Sequence, residues 1–177
     1  EAKQIGDFKE SISLNEILRG TKRTLQYRPD GDEFVCVNGK NRYTRALYGS
    51  HSPFRVETSD LPVFAFYNNG RGGNISFKVI LRDGTELALD RTGHCESRYS
   101  AGKRTYYLTD PSWGKGELRI SVLALADMDV AIWRFSPSNM PKGAILRWQH
   151  GGATGKRLSR NGDMGVDPAD CFELPVE

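Results

Sequence analysis

The sequence predicts an all-β fold, an antiparallel β-sandwich preceded by one short N-terminal helix. Three observations carry the prediction. Apolar and polar residues alternate through residues 75–89 and 116–135, the period of a half-buried strand. Glycine is abundant, at 19 of 177 residues, and turn dipeptides punctuate the chain at short intervals. No helix-length apolar pattern separates the strands, so nothing supplies the crossovers that a parallel sheet requires.

The one helix is predicted in "SLNEILRG", with Ser13 as N-cap, Glu16 closing a capping box and Gly20 as the stop. Residues 1–20 form this leading segment, and residues 21–177 form the sandwich. "TLQY" reads as a strand ending in the turn Pro29-Asp30-Gly31. "FVCV" and "RYTRALYG" then meet at Asn38-Gly39, the strongest short hairpin signal available to a sequence. The second of these runs has no clean apolar face. Arg42, Thr44 and Ala46 would point one way and Tyr43, Arg45 and Leu47 the other.

"FRVETS" and "VFAFYNN" follow as strands, the latter opening into the glycine-rich tip "NNGRGG". "NISFKVILRDGTELALD" is the clearest hairpin. Ile75, Phe77, Val79 and Leu81 share one face, Asp83-Gly84 turns, and Leu87 and Leu89 return. "RTYYLTD" is a strand and "PSWGKG" a loop. "ELRISVLALAD" pairs with "MDVAIWRFS", Leu118, Ile120 and Val122 alternating with Arg119 and Ser121, and "GAILRWQH" closes the series. The total is about ten strands. "DCFELPVE" alternates Phe172, Leu174 and Val176 in strand fashion, and we expect the chain to be a piece of a longer protein.

A chain of 177 residues makes one domain with a core of its own. Its 25 Lys and Arg against 22 Asp and Glu are scattered, so no nucleic-acid partner is expected. No stretch reaches the ~20 apolar residues of a membrane span. Cys36, Cys95 and Cys171 form no CxxC, allow at most one bridge, and include one (Cys36) that reads as a small buried hydrophobe.

Catalytic, cofactor and metal motifs are weak throughout. "GGATGKRLSRNGDMG" fails as a phosphate loop, because three residues rather than four separate Gly151 from Gly155 and Arg157 stands where a Ser or Thr must hold magnesium. His51, His94 and His150 lack metal-site spacing, and Cys95 has no nucleophile context. Asp127 and Asp129 read as turn residues, and Asn74-Ile75-Ser76 matches a glycosylation acceptor. We expect no cofactor, no metal and no catalytic residue in this chain.

The aromatics are more suggestive. Trp113 lies in a loop between a proline and glycines, and Tyr67 abuts Asn68, Asn69 and Arg71. Rings beside amides and guanidinium groups suit a sugar surface, an apolar platform with planar hydrogen bonding. Trp133 and Trp148, on strands, read as core or edge residues, and for Trp113 the same reading is narrowly preferred.

The stretch "RTLQYRPDGDEFVCVNGKNRYTRALYGSHSPFRVETSD", continuing to "GRGGNISF", resembles a domain of unknown function near the N-terminus of large secreted proteins of gut Bacteroidetes. There a β-sandwich precedes a helical region similar to (α/α)-barrel glycosidases. The resemblance covers most of residues 22–177 and centres on "NGKNRYTRALYG". It implies a supersandwich-like accessory domain, itself non-catalytic, in a secreted glycan-degrading protein located in the periplasm or at the cell surface. Its partners would be the following C-terminal helical domain of the same protein, whose cleft it braces or lines, and a glycan. The candidate interface or carbohydrate residues are Asn41, Arg42, Arg45, Tyr48, Tyr67, Asn69, Arg71 and Trp113. We expect at least one of Arg42 and Arg45 to be exposed. The alternative is an autonomous carbohydrate-binding module built on Trp113 and the loop from Tyr67 to Arg71.

Overall fold

A computed structural model describes residues 26–49, 51–68 and 71–151. The predicted helix at 13–20, the segment 152–177 and the boundary between residues 20 and 21 lie outside them. Among the described residues twelve strands form two antiparallel sheets stacked as a sandwich. They are β1 (Arg28–Asp30), β2 (Glu33–Val37), β3 (Arg45–Tyr48), β4 (Arg55–Thr58), β5 (Phe64–Asn68), β6 (Arg71–Ile80), β7 (Glu86–Ala88), β8 (His94–Ser100), β9 (Lys103–Thr109), β10 (Glu117–Ala124), β11 (Ala131–Ser138) and β12 (Ile145–Gly151). The first sheet runs β1-β2-β8-β9-β10-β11, and the second runs β12-β6-β5-β4-β3, with β7 added beside β6.

The two hairpins with the cleanest alternation form as expected. β10 lies against β11 from Glu117 opposite Ser138 to Ala124 opposite Ala131, and β7 returns along β6 through the turn at Gly84, whose φ is +87°. Leu118, Ile120 and Val122 are buried while Arg119 is exposed, so the period of two in the sequence becomes an inside and an outside. The inward faces meet in one core, where Leu47, Val56, Phe64, Phe77, Val79, Leu89, Tyr106, Leu108 and Ile120 pack together. Trp133 joins it edge-on to Phe64 and Phe66. Each such side chain stabilises the fold by roughly 1.5–3 kcal/mol through burial.

Asn38-Gly39 is not a hairpin turn. β2 belongs to the first sheet and β3 to the second, so the chain crosses between sheets at this dipeptide. Asn38 adopts φ +50° and continues the β2–β8 ladder: its N–H donates to the Cys95 carbonyl (2.8 Å), and its Oδ1 accepts from the Cys95 N–H (2.9 Å). Gly39 is needed for room. A Cβ there would sit 2.6 Å from both Asp60 Oδ2 and Cys36 Sγ. The first turn also moves, since β1 starts at Arg28 and β1 and β2 are joined through Gly31 and Asp32. "PSWGKG" contains a single 3₁₀ turn, Pro111–Trp113, capped by the Asp110 side chain.

One end of the core is polar. Arg104 on β9 faces inward, fully buried, and forms an ion pair with the buried Asp60 at 3.7 Å. Its Nη2 donates to the Ser59 carbonyl (3.1 Å), Ser97 Oγ (3.1 Å) and the Tyr27 hydroxyl (2.5 Å). Asp60 accepts from the Tyr27 hydroxyl, from Thr44 Oγ1 (3.0 Å) and from the Asn41 N–H (3.0 Å). The Tyr106 hydroxyl donates to the Ser59 carbonyl at 2.8 Å. This network ties the crossover loop to both sheets.

Burial raises the proton affinity of the acids beside it. It pushes the Cys95 thiol up to about 12, partly offset by the Arg104 charge, and also raises the Tyr106 and Tyr27 phenols. Because the neutral forms are favoured only in the folded chain, their contribution is complete below the ordinary thiol pKa and falls as pH climbs above about 9. Each group withdraws roughly 1.4 kcal/mol per pH unit in its own window. The urea midpoint should therefore drop steeply between about pH 9 and pH 11. A midpoint that is flat across that range would contradict the buried placement.

Candidate functional site

β6 shares one edge with two partners in succession. β5 pairs along it from Asn68 opposite Arg71 to Phe64 opposite Ile75, and β7 resumes with Ala88 opposite Lys78. Ser76 and Phe77 fall between them, and the sheet has a gap there. A cleft of about 460 Å³ opens at this gap, lined among others by Lys40, Asn41, Arg42, Phe64, Asn74, Ser76, Phe77, Asp90 and Arg91. Its floor is aromatic and its rim carries three cations. Asp90 lies 3.9 Å from Arg91, a contact largely screened by water because the Arg91 side chain is 80% exposed. Asn74 Oδ1 is buried without a hydrogen-bond partner.

The rim is anchored from below. The Asn41 N–H bonds to Asp60 Oδ2, the Asp60 N–H bonds to the Asn41 carbonyl (2.9 Å), and the Tyr43 N–H bonds to Ser59 Oγ (2.8 Å). The buried ion pair thus fixes the backbone on which the exposed Asn41 and Arg42 side chains stand. Arg42 spreads over the Tyr43 ring at 5.4 Å. Such a cleft can receive a ligand or a neighbouring surface with hydrogen-bond acceptors for the rim and an apolar face for the floor.

The structure brings Asn41 and Arg42 together at the cleft, and Arg45, Tyr48, Tyr67 and Trp113 lie outside its lining. Arg45 is half-buried between the Tyr27 and Tyr99 rings, at 5.0 and 5.4 Å, and donates to the Thr44 carbonyl. Here lies the reason for arginines on both faces of that segment: one braces the interior and one faces solvent. Tyr48 is exposed on β3. Tyr67 is buried, with Arg55 stacked on it at 4.2 Å and Arg55 bonded to Glu57 at 2.6 Å. Trp113 is buried at 2% exposure inside the core cluster. Neither ring presents a face for a sugar in this arrangement. Asn69 and the Arg71 side chain lie outside the described residues.

Sequence reasoning missed Lys40, Asp90 and Arg91, which carry no local signal. It did single out Asn74 and Ser76, as a glycosylation acceptor, although both belong to the cleft wall. Among the described residues no three His, Cys, Asp or Glu side chains converge to hold a metal.

Residues 69–177 match a family model described as a domain of unknown function (DUF4450). No curated protein and no solved structure gives a match.

Proposed function

The chain belongs to the DUF4450 family, a domain of unknown function, and from that premise we propose that it is a non-catalytic β-sandwich accessory domain of a secreted glycan-degrading protein. It braces a following helical catalytic domain or lines that domain's cleft. The observation that supports this reading best is the exposed Asn41–Arg42 rim, mounted on a backbone that the buried Asp60 holds in place. An arginine displayed from so rigid a base is suited to pairing with a carboxylate across an interface, where arginine is enriched. The apolar edge strand β12 supports it as well. Leu146 and Trp148 lie opposite Val79 and Phe77 on the core side, yet are 38% and 63% exposed, as surface awaiting a neighbour would be. A self-sufficient binding module is less favoured, since Trp113 and Tyr67 are interior residues.

In the 177-residue chain, Asn41→Ala/Arg42→Ala should leave the melting temperature within about 2 °C of the parent, as exposed substitutions do. In the longer protein carrying the helical domain, the same pair should reduce glycan turnover or stability of the joined domains by about tenfold or more, the effect of losing a desolvated arginine contact. The 177-residue chain alone should release no sugar from plant or host glycans. Full activity and stability of the longer variant would refute the interface. Sugar release by the chain alone would refute the non-catalytic role.

A further inference from the structure

The outer face of the first sheet holds a second constellation, remote from the cleft in sequence and made by register alone. Three strands, β9, β10 and β11, lay their outward residues in rows. Tyr107, Arg119 and Ser136 form one row, and Ser121 and Arg134 form the next, beside Thr105, which is buried. In the row beyond, Lys103 lies opposite Leu123, which lies opposite Ile132. A shallow groove of about 340 Å³ runs across these rows, from Lys103 past Ser121 and Leu123 to Arg119, Arg134 and Ser136.

We infer that this groove binds an acidic saccharide, a glycan bearing carboxylate or sulfate groups. Each arginine has a serine directly opposite it across β10 and β11, Arg119 with Ser136 and Arg134 with Ser121, so a guanidinium fork and a hydroxyl stand side by side twice. That pairing suits a planar or tetrahedral anion, which accepts two charge-assisted bonds from the fork and a third from the hydroxyl. Lys103, Arg119 and Arg134 form no ion pair among the described residues, whereas Arg98, one strand further on, is satisfied by Glu96, Glu33 and Asp30. Tyr107, 39% exposed, has Arg119 at 5.6 Å from its ring and Arg98 at 5.9 Å, which holds the ring beside the groove. Ring, hydroxyls and the exposed Ile132 give a sugar its apolar and polar contacts, and the three cations select for negative charge. Glu117, in the row beyond Tyr107 and Arg119, bounds the cationic area on that side. A nucleic acid fits less well, because three cations neutralise few phosphates and the chain's net charge is only +3. The inference stands on this geometry and does not depend on the accessory reading.

The test uses the 177-residue chain with polygalacturonate as the carboxylate probe, heparin as the sulfate probe, dextran as the neutral one and a thymidine oligonucleotide as the competing polyanion. At about 10 mM salt, where screening is weak, at least one acidic polysaccharide should bind and dextran should not. Arg119→Ala/Arg134→Ala should weaken that binding at least tenfold with an unchanged melting temperature, and Tyr107→Ala should weaken it severalfold. If the double alanine variant misfolds, Arg119→Gln/Arg134→Gln carries the same expectation. The control Lys115→Ala/Lys142→Ala, which removes two exposed cations elsewhere, should change it less than twofold. Binding of neither acidic polysaccharide, equal losses in the control, or tighter binding of the oligonucleotide would each overturn the inference.

Discussion

Asp60→Ala is expected to destabilise the chain by about 3–5 kcal/mol, the cost of leaving a buried charge without its partner. For a domain of this size that lowers the melting temperature by on the order of 10 °C. The Arg104 side chain has no exposure, and its Nε and Nη1 already lack hydrogen-bond partners. Without Asp60 the guanidinium would keep only its bonds to Ser59, Ser97 and Tyr27. The substitution also deprives Thr44, Tyr27 and the Asn41 N–H of their acceptor, so the crossover loop loosens with the core. The double variant Asp60→Ala/Arg104→Met should be less destabilised than the sum of the two single variants, because it removes the stranded charge. Chemical denaturation of the four proteins measures this coupling. A loss below about 1 kcal/mol for Asp60→Ala would mean the ion pair does not organise this end of the core.

Trp113→Ala should cost about 3–5 kcal/mol, the usual range for removing a large aromatic from a core. The ring is among the largest fully buried side chains, and the chain closes tightly around it: the Gly116 N–H bonds to the Trp113 carbonyl at 2.9 Å, and a Cβ on Gly116 would lie 2.9 Å from the Trp113 Cβ. Its Nε1 has no hydrogen-bond partner, so the loss is one of packing. Trp148→Ala, at 63% exposure, serves as the comparison and should change stability by about 0.5 kcal/mol or less. If Trp113→Ala instead left the melting temperature unchanged, the ring would have to be a surface platform.

Fold class and the clearest pairings are legible in the residues themselves. Alternation at 75–89 and 116–135 identifies strands whose partners are their own chain neighbours, and Asp83-Gly84 supplies the turn; nothing distant is needed to settle such a pairing. Burial of Cys36 was readable for the same reason, and so was a core or edge place for Trp133, which packs partly buried against the core. The remaining features depend on contacts between distant segments. Asn38-Gly39 states only that the backbone can take a positive φ and tolerate close approach, and a crossing between sheets satisfies both as well as a hairpin does. What selects the crossing is Asp60, twenty-one positions away, packed where a Gly39 side chain would be. The cleft exists because β5 and β7 divide one edge of β6, a property of three strands together rather than of any residue in them. The burial of Trp113 and the half-burial of Arg45 likewise carry no local mark, since a loop ring and a strand arginine are covered only when the rest of the fold closes over them.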